Sequence, residues 1–292
     1  MKVKVGDTIL KGIAQSALPK LEIRMLIMHV MQLTRVELIT RSEEIFSIEQ
    51  AQQLNDLIER RLNGEPLAYL IGEKEFFSLL FYVTPDVLIP RPETELLVDL
   101  IIEKTPPQGC VLDMGTGSGA IAVAAAYHRP DITVIAVDKS EAALNIARHN
   151  AQINLGFKNN ISFMQSDWFD NLKLPHFLFS VIVSNPPYIA VDDEHLQHNG
   201  LPFEPIDALT DYVDGLSALR LLIQEAPQYL QDGGYLWVEH GYDQAFVVRE
   251  LFLRHGFVDV VHVKDLAGID RVTGGIIKHD QSDQKSCVNL LA

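Results

Sequence analysis

A proline-rich segment, Asn185-Pro186-Pro187-Tyr188, follows a predicted strand over residues 179–184. Because proline has no backbone N–H, the segment presents its carbonyls as hydrogen-bond acceptors. The side-chain oxygen of Asn185 and the carbonyl of Pro186 could accept both hydrogens of a planar NH₂ group, and the Tyr188 ring offers a face to it. Such a nitrogen is a weak nucleophile, but orientation of two bound reactants can supply about 7–11 kcal/mol. Such orientation would make in-line transfer of a sulfonium methyl group to a planar amine feasible without a dedicated strong base.

A glycine-rich turn lies upstream, between a predicted strand over residues 110–113 and a helix that begins at Ala120. Its central residues are Gly115, Thr116, Gly117, Ser118 and Gly119. Glycine lets the backbone approach a ligand where a Cβ atom would collide. The spacing also satisfies the dinucleotide fingerprint, with Ala120 in the third position, so the turn alone is compatible with NAD or S-adenosylmethionine.

Acidic residues end the next two predicted strands. Asp138 closes the strand over residues 133–138, where its carboxylate could accept both hydroxyls of an adenosine ribose or serve the helix cap at Ser140. Asp167 and Trp168 close the following strand, where an acceptor could meet an adenine amino group and an indole could cover the ring. The alternative for this pair is an ordinary strand-end carboxylate beside a core tryptophan.

The elements that must position these residues alternate between strand and helix from about residue 107 to residue 278. This pattern predicts an α/β fold with a mostly parallel sheet covered by helices on both faces, and ligands of such sheets bind at the carboxyl ends of the strands. Residues 1–75 have the apolar spacing of a small helical domain, with a capping box at Ser47 and Gln50. Residues 76–92 predict a β-hairpin-like connector, residues 93–278 the main domain and residues 279–292 a polar tail.

Together, the glycine turn, Asp138, Asp167-Trp168 and residues 185–188 resemble a class I S-adenosylmethionine-dependent methyltransferase that modifies a planar amine. More narrowly, the chain resembles the release factor glutamine methyltransferases, the PrmC/HemK family. The motifs that carry this resemblance are residues 64–72, 89–95, 184–189, 203–205 and 239–241. The resemblance implies a Rossmann-like class I methyltransferase domain with a seven-stranded sheet, preceded by a helical domain that docks the substrate.

The resemblance also implies an activity, which is N5-methylation of the glutamine in the Gly-Gly-Gln loop of class 1 peptide chain release factors. S-adenosylmethionine would be the cofactor, S-adenosylhomocysteine the product, and no metal is expected. The residues implied to hold the cofactor are Gly115, Thr116, Gly117, Ser118, Gly119, Asp138, Asp167, Trp168 and Asn185. Those implied to hold the glutamine amide are Asn185, Pro186, Pro187 and Tyr188, of which Asn185, Pro186 and Tyr188 would be catalytic. Glu239 and His240 could line the pocket or cap the sheet.

The composition restricts the partners. Lys and Arg total 24 against 39 for Asp and Glu, a formal charge of −15 that disfavours nucleic acid and is compatible with a protein substrate. The two cysteines are too few for a disulfide framework, no apolar run reaches the length of a membrane span, and the first residues lack the features of a signal peptide. These features predict a cytoplasmic protein without a membrane partner.

The residues by themselves leave other activities open. The acceptor segment would also suit an adenine or guanine amine in DNA or RNA, although that substrate requires a basic channel. The glycine turn and Asp138 would suit an NAD(P)-dependent oxidoreductase, which would leave residues 185–188 unexplained. A non-catalytic role in recruiting translation factors is a further alternative. In any of the enzymes, residues 191–214 could order over the site when substrate binds.

Overall fold

A computed structural model of the protein describes residues 2–157, 159–172, 178–198 and 200–279. These residues form two compact units. The first comprises the described residues up to Glu73 and those from Gln197 to Phe203, and the second comprises the others. Apart from His279, the tail expected over residues 279–292 lies outside the described residues.

The first unit is helical. Its helices are α1 (Ile9–Gln15), α2 (Lys20–Met31), α3 (Arg35–Thr40), α4 (Ile48–Leu62) and α5 (Leu67–Ile71). At the start of α4, Ser47 Oγ accepts from the backbone N–H of Gln50 at 3.2 Å, and Gln50 Oε1 accepts from the backbone N–H of Ser47 at 3.0 Å. The predicted capping box is therefore confirmed. Buried side chains such as Ile23, Leu26 and Leu54 form the core of this unit.

A two-stranded hairpin, β1 (Glu73–Phe76) and β2 (Leu79–Tyr82), follows α5. It begins three residues before the expected connector boundary at residue 76. The reason is that Gly72 adopts a φ of 77°, in the left-handed region that ends a helix, so the chain turns into the strand at once.

The second unit is built on a seven-stranded sheet. Its strands are β3 (Cys110–Met114), β4 (Thr133–Asp138), β5 (Ile161–Gln165), β6 (Phe179–Ser184), β7 (Leu230–Glu239), β8 (Phe257–Lys264) and β9 (Asp270–Ile277). They lie in the order β5-β4-β3-β6-β7-β9-β8. The pairs from β5 to β7 are parallel, whereas β9 runs antiparallel to both β7 and β8. The predicted mostly parallel sheet is therefore confirmed.

Helices of the second unit pack on both faces of this sheet, because alternate strand residues point to opposite sides. They are α6 (Glu95–Lys104), α7 (Ala120–His128), α8 (Glu141–Leu155), α9 (Ser217–Glu225) and α10 (Ala245–Arg254). In β3, Val111 joins the core that contains α6 and α7, and Leu112 joins the core that contains α9 and α10. A 3₁₀ turn over Ala226–Gln228 separates α9 from β7. No described helix combines the length and apolar character that a bilayer span requires.

Two consecutive glycines in β9 have a packing role. Gly274 pairs with Trp237 of β7, and a Cβ atom at position 274 would lie 1.9 Å from Trp237 Cε3. The indole of Trp237 is 2% exposed, so it fills the space that a side chain on β9 would otherwise occupy. The absence of a side chain at position 274 therefore accommodates a large core residue.

Candidate active site

The glycine turn and the proline-rich segment lie side by side at one edge of the sheet. The turn follows β3 and the segment follows β6, and these neighbouring strands are in register at Met114 and Ser184. The Ser184 hydroxyl donates to the carbonyl of Met114 at 2.7 Å, which ties the two strand ends together. From β3 the chain continues to β4 on one side, while β6 lies on the other, so this is the switch point at which α/β sheets bind ligands.

The three glycines of the turn have two different functions. Gly115 and Gly117 have φ values of 74° and 54°, and a Cβ atom on either would meet nothing within 4 Å. They are required for the backbone conformation, and the turn they form faces open space. Gly119, at φ 80°, packs closely instead, since a Cβ atom there would lie 3.0 Å from that of Ala147 in α8.

The turn is anchored from three sides by hydrogen bonds. The backbone N–H groups of Gly115 and Thr116 both donate to the carbonyl of Val137, at 2.8 and 2.9 Å. Asn150 of α8, which is fully buried, donates to the carbonyl of Ser118 at 2.9 Å. The same Asn150 side chain accepts from the backbone N–H of Tyr82 at 2.7 Å, so the hairpin also supports the turn.

Asp138 lies at the end of β4 and holds the turn from the cavity side. One carboxylate oxygen accepts from the backbone N–H of Gly117 at 2.8 Å, and the other accepts from that of Ser140 at 2.9 Å. Burial raises the pKa of Asp138 above its ordinary value, and the two N–H donors oppose that rise. The sequence offered a ligand role and a capping role as alternatives, and the structure shows the capping contact in a carboxylate that also faces the cavity.

Asp113 is the buried acid at the start of the turn. It is fully buried at the end of β3 and accepts from the Thr116 hydroxyl at 2.6 Å. Burial raises its pKa from 3.8 to about 7, because the charged form loses its water. Thr116 and Ser118 are also buried, and neither is among the described residues that line the cavity.

The raised pKa of Asp113 predicts a pH dependence of stability. A carboxyl whose folded pKa exceeds its unfolded value favours folding most below the unfolded pKa, and that contribution is lost as pH rises through 7. We expect Asp113→Asn to remove a penalty of a few kcal/mol at pH 8 and to change little at pH 4. Denaturant unfolding of both proteins at the two pH values measures this, and a difference independent of pH would contradict it.

A cavity of about 460 Å³ opens where these elements meet, within the range of small-ligand sites. The predicted site residues that line it are Gly115, Gly117, Asp138, Asp167, Trp168, Asn185, Pro186 and Pro187. Thr116, Ser118, Gly119 and Tyr188 are not among the described lining residues. Eight of the predicted site residues therefore line one cavity, and the other four lie outside its lining.

Two further segments line the cavity, although none of their residues was named as a site residue from the sequence. Asp86, Val87 and Leu88 come from the chain after the hairpin, and Pro205, Asp207 and Tyr212 come from the loop before α9. Glu204 explains why these segments meet, because it pairs with Arg91 and accepts from the backbone N–H of Ile89 at 3.0 Å. The sequence indicated these segments only indirectly, since residues 89–95 and 203–205 belong to the motifs of the resemblance and residues 191–214 were expected to order over the site.

The Asn185 amide has a defined orientation. Its Nδ2 donates to Thr94 Oγ1 at 3.0 Å, so the side-chain oxygen is the atom available to a group in the cavity. The Thr94 hydroxyl in turn donates to Glu239 Oε2 at 2.7 Å. Tyr188 also reaches Glu239, donating its phenol to Oε1 at 3.2 Å.

The sequence left the roles of Glu239 and His240 open, and the structure places their side chains in different surroundings. Glu239 is 1% exposed and lies behind the acceptor segment, and burial raises its pKa to about 7. His240 faces the antiparallel edge of the sheet, where its Nδ1 donates to the carbonyl of Gly241 and its Nε2 contacts the Thr273 hydroxyl, each at 2.8 Å. Glu239 therefore belongs to the site, and His240 caps the sheet.

The loop residues Glu194 to His198 show no arrangement suited to a metal. His195 is exposed and its Nδ1 contacts Asp193 Oδ1 at 2.6 Å. Among the residues that the structure describes, no group of three His, Cys, Asp or Glu side chains is placed to hold an ion.

Comparisons with known proteins agree with this geometry. A family model described as "PrmC N-terminal domain" matches residues 10–72, and one described as "Methyltransferase small domain" matches residues 92–199. A solved methyltransferase from Pyrococcus furiosus shares the fold, with a TM-score of 0.53 at 20% identity over 76% of this chain and 98% of that one. The family model over residues 92–199, on a sheet of this order, identifies the second unit as a class I methyltransferase domain.

The relatives narrow this class. The release factor glutamine methyltransferase of Neisseria gonorrhoeae is 49% identical, covering 90% of this chain and 96% of its own. The release factor glutamine methyltransferase of Escherichia coli is 43% identical over 88% of this chain and 92% of its own length. The chain belongs to the release factor glutamine methyltransferase family, which decides against the oxidoreductase alternative.

Proposed function

We propose that the protein transfers the methyl group of S-adenosylmethionine to the side-chain amide nitrogen, N5, of the glutamine in the Gly-Gly-Gln loop of class 1 peptide chain release factors. One observation carries this proposal. Asn185 lines a cavity that the glycine turn also lines, and Thr94 binds its NH₂ group, which leaves its oxygen as the acceptor available to a substrate. The relatives from both organisms bear the corresponding name.

The residues around the cavity fit S-adenosylmethionine. Gly115 and Gly117 leave the backbone free of side chains where an extended ligand would pass, and Asp138 provides acceptor oxygens for ribose hydroxyls. Asp167 would lie near the adenine and Trp168 would cover the ring. Asp86 adds negative charge to the lining, which suits a ligand that carries a sulfonium and an ammonium group, whereas Asp207 is paired with Lys139 at 3.2 Å. When bound, the cofactor supplies an electrophilic methyl group on a sulfonium sulfur.

The acceptor segment orients the substrate. The Asn185 oxygen and the Pro186 carbonyl would accept the two hydrogens of the glutamine NH₂ group, which turns the nitrogen lone pair away from them. Pro186 and Pro187 line the cavity and stiffen the segment, so few conformations are lost on binding. Tyr188 keeps the end of the segment in place from behind. Orientation of this kind is sufficient to offset the low reactivity of an amide nitrogen.

Transfer of labelled methyl groups tests the proposal. The protein is incubated with S-adenosylmethionine labelled at the methyl group, a purified release factor and total RNA and DNA. We expect label on one glutamine of the release factor and none on a matched release factor with alanine at that position. Label confined to nucleic acid would support the base-amine alternative and overturn the proposal.

The helical unit would dock the protein substrate. This part of the proposal rests on the match of residues 10–72 to a family-specific model, since a cofactor site alone would not require a second unit. Deleting the residues before Gly64 is expected to raise KM for the release factor at least tenfold and to leave the Kd for S-adenosylmethionine within about twofold, as calorimetry would show. An unchanged KM would contradict the docking role.

A further inference from the structure

The acceptor segment is held from behind by one carboxylate. Glu239 Oε2 receives the Thr94 hydroxyl at 2.7 Å and Oε1 receives the Tyr188 phenol at 3.2 Å, while Asn185 Nδ2 donates to Thr94 at 3.0 Å. Thr94 and Glu239 are 5% and 1% exposed, so water does not compete for these bonds. Both ends of the four-residue segment therefore depend on Glu239.

We propose that Glu239 is a positioning residue that acts through Thr94 to set which end of the Asn185 amide faces the substrate. The inference rests on the proposed function, because it concerns the acceptor oxygen of that reaction. Neither Glu239 nor Thr94 contacts the reacting atoms in this scheme. Their role is to keep the Asn185 oxygen, and not its NH₂ group, directed at the glutamine nitrogen.

The orientation of the Asn185 amide follows from which hydrogen bonds Glu239, Thr94 and Asn185 can donate or accept. An ionised carboxylate only accepts, so the Thr94 hydroxyl must donate its single hydrogen to Glu239. Only lone pairs of Thr94 Oγ1 remain for Asn185, and they require an N–H donor. A reversed amide would place two acceptor oxygens against each other, and would present NH₂ to the NH₂ group of the substrate. Removing a buried charge-assisted bond of this kind costs more than removing a neutral one.

The same hydrogen-bonding rules predict how protonation of Glu239 affects the orientation of the Asn185 amide. A neutral Glu239 carries a hydrogen that it must donate to Thr94 or Tyr188, and a Thr94 that accepts it can turn its own hydrogen towards Asn185. This arrangement favours the reversed amide. The groups that act electrostatically on Glu239 are Arg271 of β9, which favours its charged form, and Glu93 of the turn before α6, which opposes it. Tyr188 donates to it, and Arg91 in turn acts on Tyr188.

Isosteric variants separate this role from simple packing. Thr94→Val removes the hydroxyl and keeps the volume, Thr94→Ser keeps the hydroxyl, and Glu239→Gln removes the charge. With release factor as substrate, we expect Thr94→Val and Glu239→Gln to lower kcat at least tenfold, Thr94→Ser less than threefold, and all three to keep the Kd for S-adenosylmethionine within twofold. The wild-type kcat should fall as pH drops below about 7, where Glu239 becomes protonated, and this limb should be absent from Glu239→Gln. Wild-type kcat in Thr94→Val would overturn the proposal.

A spectroscopic measurement keeps this test independent of the substrate. In protein labelled with ¹⁵N at asparagine, the Asn185 side-chain NH₂ signal is assigned by its loss in Asn185→Asp. We expect it to shift with a midpoint near pH 7 in the wild type, and to be unresponsive in Glu239→Gln and Thr94→Val. A signal that shifts equally in all three proteins would overturn the positioning role, even if a different methyl acceptor were found. Conversely, absence of methyl transfer to the release factor would overturn only the proposed function.

Discussion

Replacing Asn185 by alanine is expected to lower kcat for methyl transfer to the release factor at least 100-fold and to leave the Kd for S-adenosylmethionine within about threefold. The oxygen of Asn185 is one of two acceptors that would orient the substrate nitrogen, and misorientation forfeits part of the roughly 7–11 kcal/mol that orientation provides. The cofactor keeps the glycine turn and Asp138. Single-turnover methylation and calorimetry would give the two quantities separately.

A matched control for this substitution is Asn145→Ala. Asn145 lies on α8 and its side chain accepts from Arg148 at 3.1 Å, outside the cavity lining. We expect its kcat to equal that of the wild type. Methyl transfer that persists at the wild-type rate in Asn185→Ala would refute the proposed clamp on the amide.

Asp138→Ala is expected to weaken S-adenosylmethionine binding about 100-fold or more. Each hydrogen bond to a charged group contributes about 1.5–3 kcal/mol, and this carboxylate would bind the ribose while it also holds the N–H of Gly117. The substitution therefore removes a ligand contact and loosens the turn at once. Equilibrium binding of the cofactor, measured without any methyl acceptor, is the appropriate assay.

Two control variants allow the effect of Asp138→Ala on cofactor binding to be interpreted. Asp56→Ala, on the exposed face of α4, removes the same charge from the other compact unit and should leave the Kd unchanged. Asp138→Asn keeps one acceptor oxygen and should fall between the wild type and the alanine variant. Equal affinity in Asp138→Ala and the wild type would show that the carboxylate serves only the turn.

The sheet, and the meeting of the glycine turn with the acceptor segment at one cavity, could be predicted from the sequence because they depend on local pattern. Gly115 and Asn185 each follow an apolar run of strand length, and the carboxyl ends of parallel strands meet at one edge. Periodicity and turn residues also predicted the helices and the cap at Ser47, since these depend on neighbours within one turn.

The hydrogen-bond network behind the site could not be predicted in this way. Thr94 and Glu239 are 145 positions apart in the chain, and Thr94 and Asn185 are 91 apart. No local pattern shows that two strand ends and a turn will bring them together. The contact between Glu204 and Arg91, which are 113 positions apart, is a second example of a contact between distant residues. Such contacts are set by tertiary packing, on which composition and spacing carry no information.

The direction in which the side chains of the turn point could not be predicted from the sequence either. Thr116 and Ser118 lie in the predicted turn, yet their side chains point into the protein, where Thr116 binds Asp113. The spacing of the glycines placed the backbone correctly, but it did not determine which way the intervening side chains face. Tyr188 was expected to present its ring to the substrate, and this remains a prediction, while the structure shows its phenol bound to Glu239.

The bond between Ser184 and Met114 has a consequence for substrate selection. It joins two neighbouring strands at the level where the glycine turn and the acceptor segment begin, so the sheet fixes the separation between the starts of these two segments. For the proposed reaction, an asparagine side chain is one methylene shorter than glutamine and would leave its nitrogen short of the Asn185 oxygen. The sheet would therefore select glutamine over asparagine by the length of the side chain.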